Sequence, residues 1–184
     1  MNPNFASLDP ASGRIAHLLF DNPSMSLREL DLRGNRAMFT PMDRAGYFAS
    51  SFLGARAVRA GAQDSALPLG ALLQLLPRLG LVRRPANVLF HIGHCGSTML
   101  SRLLAEIGGV MPLREPPPLF DLAQMHRFFG TPRMGLSRDQ WRQLFEFAMA
   151  CFTRTWGAAE TAMIKPMSDS NNLLPELLGW HPQC

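Results

Sequence analysis

Residues 88–104 decide the fold, and they read VLFHIGHCGSTMLSRLL. The run from Asn87 to Ile92 is almost wholly apolar, as expected of a strand that is buried on both faces of a parallel sheet. A glycine turn follows, and residues 97–107 then place leucine and isoleucine at helical spacing until Gly108 ends the helix. The segment therefore predicts a strand, a glycine turn and a helix.

The glycine turn, from Gly93 to Thr98, is predicted to bind an anion. A strand that ends in a tight loop before a helix directs several backbone N–H groups into one concavity, at the positive end of the helix dipole. Gly93 and Gly96 permit close approach of the backbone, and the hydroxyls of Ser97 and Thr98 add donors for phosphate or sulfate oxygens. The alternative is an ordinary turn in which Ser97 only caps the helix.

The turn departs from the Walker A pattern of ATPases and GTPases. His91 stands where that pattern has its first glycine, and Ser97 stands where it has its lysine. An ATPase or GTPase is therefore disfavoured.

The rest of the C-terminal half alternates between strands and helices. Further strands are predicted at Val110–Leu113 and Thr161–Ile164, and helices at residues 137–156 and 171–180. The first of these helices begins with the capping pair Ser137 and Gln140. Asn171 or Asn172 is expected to cap the second. This alternation predicts an α/β fold for residues 85–184, with a parallel sheet of the P-loop type and flanking helices.

Residues 1–84 are predicted to form an irregular and helical N-terminal extension. The first 40 residues or so show no sustained periodicity. Thr40 then provides a helix cap, Pro41 suits the first helical position and Asp43 favours the positive end, which predicts a helix that ends near Gly61. A second, short helix is predicted from Leu69 to Leu76.

Composition excludes several classes of protein. Apolar residues make up 47% of the chain and charged residues 17%, which predicts a globular protein. A net charge of +4 is too dilute for a nucleic-acid surface. The most apolar window, residues 66–82, contains prolines and falls short of a membrane span. The sequence shows no secretory signal, so we expect a cytoplasmic protein. The three cysteines lack metal-ligand spacing, so we expect no metal. The sequence does not predict an oligomeric state.

The turn resembles the 5′-phosphosulfate loop of the P-loop sulfotransferases. Gly96, Ser97 and Thr98 match the usual pattern of that family, whereas Cys95 stands for a serine and His94 for a basic residue. The sequence Leu-Arg-Glu-Pro, which ends at Pro116, continues the likeness. Residues 164–178 also resemble bacterial sulfotransferase-like proteins, so the resemblance spans about half of the chain.

The resemblance implies transfer of a sulfuryl group from 3′-phosphoadenosine 5′-phosphosulfate to a hydroxyl or amine of a small molecule, sugar or peptide. Residues Gly93 to Thr98 would hold the 5′-phosphosulfate, and His94 would assist there when protonated. The alternatives are a P-loop kinase or nucleotide phosphotransferase, which requires magnesium, and a non-catalytic nucleotide-binding relative.

Two further residues are predicted at the ligand-bearing edge of the sheet. Glu115 follows the second strand, where doubly wound sheets bind ligands, and the resemblance makes it the base that accepts the proton of the acceptor. Lys165, the only lysine, ends the third strand and would balance charge at the leaving phosphate. Each residue also has an alternative interpretation without a catalytic role. Glu115 would form an ion pair with Arg114 or Arg127, and Lys165 would be a solvated side chain at the end of a strand.

The catalytic unit is expected to be incomplete. The resembling family binds the 3′-phosphate of the donor through an arginine after a later strand and through a serine, and this chain has no arginine after Arg154. Only three α/β strands can be found. The chain alone is therefore expected to bind adenosine 3′,5′-bisphosphate weakly and to show no sulfuryl transfer.

Overall fold

The structure, a computed structural model, describes residues 23–54, 63–78, 81–131 and 135–180. An antiparallel sheet comes first and contains β1 (Met25–Asp31), β2 (Arg36–Pro41) and β3 (Ser65–Pro68), with β2 in the middle. Helix α1 (Arg44–Ala49) follows β2, and helix α2 (Leu69–Leu75) follows β3 and continues into a 3-10 turn at Leu76–Arg78.

The second sheet is parallel and has the strand order β4-β6-β5. Its strands are β4 (Ala86–Val88), β5 (Val110–Arg114) and β6 (Thr161–Lys165). The helices that flank it are α3 (Ser97–Glu106), α4 (Pro117–Arg127), α5 (Arg138–Phe152) and α6 (Leu174–Trp180), the last preceded by a 3-10 turn at Ser168–Leu173. The predicted mixed α/β fold with a parallel sheet between helices is confirmed.

The N-terminal strands correct the prediction of an irregular lead-in. Residues 25–41 form a hairpin, and β3 extends it on the side of β2. The alternation of buried and exposed residues that marks a strand is interrupted in β1 by a bulge between Leu27 and Glu29, so the period of two is hidden in the sequence.

The helix predicted from Thr40 to Gly61 is much shorter in the structure. Thr40 and Pro41 belong to β2, and the helix begins at Arg44 with Asp43 as its cap, which accepts a hydrogen bond from the Gly46 N–H at 2.7 Å. It ends at Ala49, and residues 55–62 lie outside the described part of the chain.

The capping box predicted for α5 is confirmed. The Ser137 hydroxyl accepts from the Gln140 N–H at 3.1 Å, and the Gln140 carbonyl oxygen accepts from the Ser137 N–H at 2.9 Å. Asn171 and Asn172 are not caps. Their side-chain amides donate to the carbonyl oxygens of His91 and Ala123, so they tie the chain after β6 to the glycine turn and to α4.

One hydrophobic cluster joins both sheets. It contains side chains of β1 and β2, most of the buried face of α4 and α5, and inward side chains of β5, β6 and α6. Helix α4 packs on both β1 and the 3-10 turn before α6, and the Asp121 carboxylate accepts from the Leu30 N–H at 3.4 Å. The cluster therefore crosses the boundary near residue 84 that the sequence predicts.

Side-chain alternation sorts the residues of the parallel sheet between its two faces. Met111, Leu113 and Ile164 point into the hydrophobic cluster. The residues next to them, Arg114 and Lys165, therefore point to the opposite face, and these two are register partners. Helix α3 covers that face, since the Arg114 Nε donates to the Ser101 hydroxyl of this helix at 3.0 Å.

The apolar side of α3 is present as predicted, but it is turned to solvent. The residues that α3 buries are Ser97, Ser101 and Ala105. Leu104 is half-buried. The other large apolar side chains are exposed, at 68%, 46%, 54% and 78% for Met99, Leu100, Leu103 and Ile107 at the end of the helix. Spacing predicts which side chains share a helix face, but it does not predict which face is covered.

Candidate functional site

The glycine turn is held against the end of β6. The strand predicted from Asn87 to Ile92 is shorter in the structure: β4 ends at Val88, and Asn87 and Ile92 are exposed, so the predicted burial on both faces is wrong. Beyond β4, Leu89 still donates its N–H to the carbonyl oxygen of Ile164 at 2.9 Å. The two ring nitrogens of His91 lie 3.0 Å from the Ile92 oxygen and 2.9 Å from the Pro166 oxygen. These contacts fix where the turn begins. His91 is therefore a bridge between two loops, half-buried and hydrogen-bonded.

The turn uses two left-handed backbone conformations. His94 has a φ of 60° and Gly96 has a φ of 80°, and Gly96 then caps α3. The first hydrogen bond within the helix runs from the Leu100 N–H to the Gly96 oxygen at 3.1 Å. Gly96 supplies the conformation that a side chain rarely adopts, and the N–H groups of the first turn are left at the loop.

The predicted donor-binding residues lie together in this turn. Gly93, His94, Cys95 and Gly96 are exposed, Thr98 is half-buried, and Ser97 is buried against the sheet. A hydrogen bond from the Ser97 backbone lowers the pKa of the exposed Cys95 thiol from its ordinary value. The start of α3 can therefore stabilise a negative charge at the turn.

Glu115 and Lys165, which the sequence assigns separately, are brought together. The Lys165 Nζ lies 2.5 Å from the Glu115 Oε1, and the Glu115 N–H donates to the Lys165 oxygen at 2.6 Å. Lys165 is 1% exposed, so this carboxylate is what compensates a buried ammonium. Both alternatives for these residues are wrong: Glu115 pairs with neither Arg114 nor Arg127, and Lys165 is not solvated.

Glu115 adopts a strained backbone conformation. Its φ is 53°, in the left-handed region where a residue other than glycine costs of the order of 1 kcal/mol. The conformation turns the chain sharply after β5, just before Pro116 and the first turn of α4. It keeps the carboxylate at the carboxyl edge of the sheet, beside Lys165.

Arg114 anchors a segment from the N-terminal half beside this pair. Its guanidinium is 2% exposed and donates to the carbonyl oxygens of Phe48 at 3.1 Å and Ser50 at 2.7 Å. Its own carbonyl oxygen accepts from the Leu53 N–H at 2.8 Å. This arrangement places the ring of Phe52 5.8 Å from the Lys165 Nζ.

Sequence reasoning missed two contributors to the site. Ser101 stands four residues after Ser97, so both side chains face the sheet. The signal that could have identified Ser101 is a serine among the leucines of this helix. Phe52 carries no such signal, because its place depends on contacts between residues that are more than 60 positions apart. In the part of the chain that the structure describes, no hydrogen bond or ion pair links His94 to Glu115 or Lys165.

Other features of the described ranges set limits on the site. No group of three or more metal-ligating side chains occurs among the described residues. Within the same ranges, no helix is long and apolar enough to cross a membrane.

Comparisons of the chain with protein-family models, with curated proteins and with solved structures found no match.

Proposed function

We propose that the chain is sulfotransferase-like, with a P-loop type of sheet, and that it moves a sulfuryl group from 3′-phosphoadenosine 5′-phosphosulfate to a hydroxyl or amine. The observation that carries the proposal is the 2.5 Å contact between Lys165 and Glu115 at the carboxyl edge of the parallel sheet. In this contact a carboxylate and an ammonium lie side by side, and the proposal makes the carboxylate the base.

The glycine turn supports the proposal because it supplies donors for an anion. The N-terminus of α3 presents backbone N–H groups, and Ser97 and Thr98 add hydroxyls at the same end. His94 lies in the exposed part of the turn and would add a positive charge when protonated. These groups would hold the phosphosulfate of the donor.

The ion pair has a chemical role in this proposal. The acceptor oxygen forms a bond to sulfur while the bond from sulfur to the bridging phosphate oxygen breaks. Glu115 takes the proton of the acceptor, and the electron pair of the broken bond stays on the leaving phosphate. A protonated Glu115 no longer holds Lys165 strongly, so the ammonium becomes available to the leaving phosphate as its charge develops.

A ligand-dependent stability measurement tests the proposal. Adenosine 3′,5′-bisphosphate should raise the melting temperature of the chain more than ATP with magnesium does. The Lys165→Met variant should lose that increase, whereas Arg142→Met, which removes the same charge from the exposed side of α5, should keep it. Stronger stabilisation by ATP with magnesium would favour a phosphotransferase, and no stabilisation by either ligand would favour a non-catalytic relative.

Transfer itself is tested with a radiolabelled donor and a panel of alcohols and amines. Because the 184-residue chain alone is expected to show no transfer, the assay uses a complete, active protein that contains it. Label that appears in an acceptor with that protein and not with its Glu115→Gln variant supports the proposed roles. Transfer that persists in Glu115→Gln would assign the base to another residue.

A further inference from the structure

Phe52 is an apolar residue that is held in place and yet left exposed. Its ring is 44% exposed, and it does not belong to the hydrophobic cluster. Both of its neighbours are anchored: the Ser51 hydroxyl accepts from the Arg102 guanidinium, and the Leu53 N–H donates to the Arg114 oxygen at 2.8 Å. These bonds fix the backbone on both sides of Phe52 without any contribution from its ring, so core packing does not explain where the ring lies.

The strand order places Phe52 and the glycine turn on opposite sides of Lys165. β6 lies between β4, which leads into the turn, and β5, which leads into Glu115. The N–H of Glu115 donates to β6, and the C=O of Arg114 belongs to the same trans peptide group, so it points the opposite way. Leu53 binds that oxygen. The segment that contains Phe52 therefore runs along the outer side of β5.

This order assigns a side to each substrate of the proposed reaction. In an in-line displacement, as in phosphoryl transfer, the attacking and the leaving oxygen lie on opposite sides of the transferred group. The glycine turn would hold the phosphosulfate on the side of β4, so the acceptor would reach Glu115 from the side of Phe52. The ring of Phe52 lies 5.8 Å from the Lys165 Nζ, which is close enough to contact an acceptor that is bonded to Glu115.

The surface on that side has few groups that could bind a sugar. Three prolines, Pro116 to Pro118, follow Glu115 and have no N–H to donate. The Ser50 oxygen and the Ser51 hydroxyl already accept from arginine side chains. A sugar on this surface would lose hydrogen bonds to water without replacement, whereas an aromatic ring can stack on Phe52.

We propose that Phe52 determines acceptor specificity and that the acceptor is an aryl alcohol or an arylamine. The inference rests on the proposed function and selects one class among its acceptors. The acceptor ring stacks on Phe52, and its hydroxyl or amine donates to Glu115. Its oxygen or nitrogen then bonds to sulfur, the proton passes to Glu115, and the electron pair of the broken S–O bond stays on the leaving phosphate.

Binding of 2-naphthol to the 184-residue chain, measured by calorimetry with and without adenosine 3′,5′-bisphosphate, tests the inference. Phe52→Ala should weaken binding about tenfold, because the stacking partner is lost. Phe52→Tyr, which keeps the ring, should stay within about twofold of the parent chain. The control Phe128→Ala, which removes a ring that is 37% exposed just after α4, should do the same. Methyl β-glucoside should bind more weakly than 2-naphthol, and circular dichroism checks that each variant is folded.

Lys165 reports where the ligand binds. It is the only lysine of the chain and is 1% exposed beside the ring, so its acetylation by acetic anhydride can be followed in a single peptide by mass spectrometry. We expect 2-naphthol to slow this acetylation in the parent chain and in Phe128→Ala, but not in Phe52→Ala.

Several results would overturn the inference. Absence of 2-naphthol binding, or tighter binding of methyl β-glucoside, would exclude an aryl acceptor. Binding that Phe52→Ala leaves unchanged, or that does not protect Lys165, would place the ligand on another surface, such as the exposed apolar side of α3. None of these results bears on stabilisation by adenosine 3′,5′-bisphosphate, which tests the proposed function, so the two failures are distinguishable.

Discussion

The Arg114 guanidinium donates to the Ser101 hydroxyl at 3.0 Å, and this contact locks α3 to the end of β5. The same guanidinium reaches the carbonyl oxygens of Phe48 and Ser50 on its other side. Burial lowers the pKa of Arg114 from its ordinary value, but a guanidinium remains charged at any physiological pH. One buried cation, compensated by oxygens of uncharged groups, therefore joins the N-terminal half of the chain to the candidate site.

Replacement of Arg114 by methionine should destabilise the chain by about 3 kcal/mol or more, because it leaves several buried acceptors without a donor. Arg114→Lys should be intermediate, since an ammonium cannot reproduce the planar fork. Urea denaturation measures both. The control is Arg102→Met, an exposed arginine on α3, which should cost less than about 1 kcal/mol; equal losses in the two methionine variants would show that Arg114 is not an anchor.

Glu115→Gln should separate binding from chemistry. Loss of the carboxylate frees Lys165 to attract an anion, so adenosine 3′,5′-bisphosphate should bind about three- to tenfold more tightly by calorimetry. In a complete, active protein, turnover should fall by roughly a hundredfold or more, because the base is lost. Weaker binding of the nucleotide in Glu115→Gln would mean that Lys165 does not face the ligand.

The two glycines of the turn provide a matched pair of substitutions. A Cβ added at Gly93 or Gly96 would meet no atom within 4 Å, but only Gly96 has a positive φ, of 80°. Gly96→Ala should therefore cost about 1 to 2 kcal/mol through backbone strain, whereas Gly93→Ala should be within about 0.5 kcal/mol of the parent chain. Thermal denaturation compares them, and equal costs would contradict the assigned loop conformation.

Asp121 should make stability depend on pH. Burial between α4 and β1 raises its pKa from 3.8 to about 6 in the folded chain. The folded state therefore takes up a proton before the unfolded state does, and the free energy of unfolding should rise as the pH falls from about 7 towards 4. The Asp121→Asn variant should lack this rise and be more stable at pH 7 by about 1 to 3 kcal/mol. If the free energy of unfolding changed with pH in the same way in the parent chain and in Asp121→Asn, a raised pKa of Asp121 would be excluded.

The α/β half was largely predictable because its signals are local. Glycine and serine at the start of α3, the capping box of α5 and the apolar strands β5 and β6 are each recognised within a few residues of sequence. The strand before the glycine turn was predicted too long, since β4 ends at Val88. The placement of Glu115 and Lys165 at strand ends also followed from local pattern. Their contact did not, because it depends on the register that pairs Arg114 with Lys165.

The N-terminal half was not predictable for two physical reasons. The bulge in β1 breaks the alternation that would reveal a strand. Residues 50–54, which follow α1, have no regular structure of their own, and Arg114, which lies more than 60 residues further along the chain, holds them in place. The exposure of the apolar side of α3 was not predictable either, because the elements that pack against a helix decide which of its faces is covered, and the periodicity of the helix does not.

The burial of Arg114 has a consequence for any attempt to divide this protein. A fragment that begins at residue 85 would keep β5 and α3, but it would lack the carbonyl oxygens of Phe48 and Ser50 and would carry a guanidinium with too few acceptors. It would also lose β1 and β2 from the shared hydrophobic cluster. The two halves should therefore melt in a single transition, and neither should be recovered as an independently folded piece.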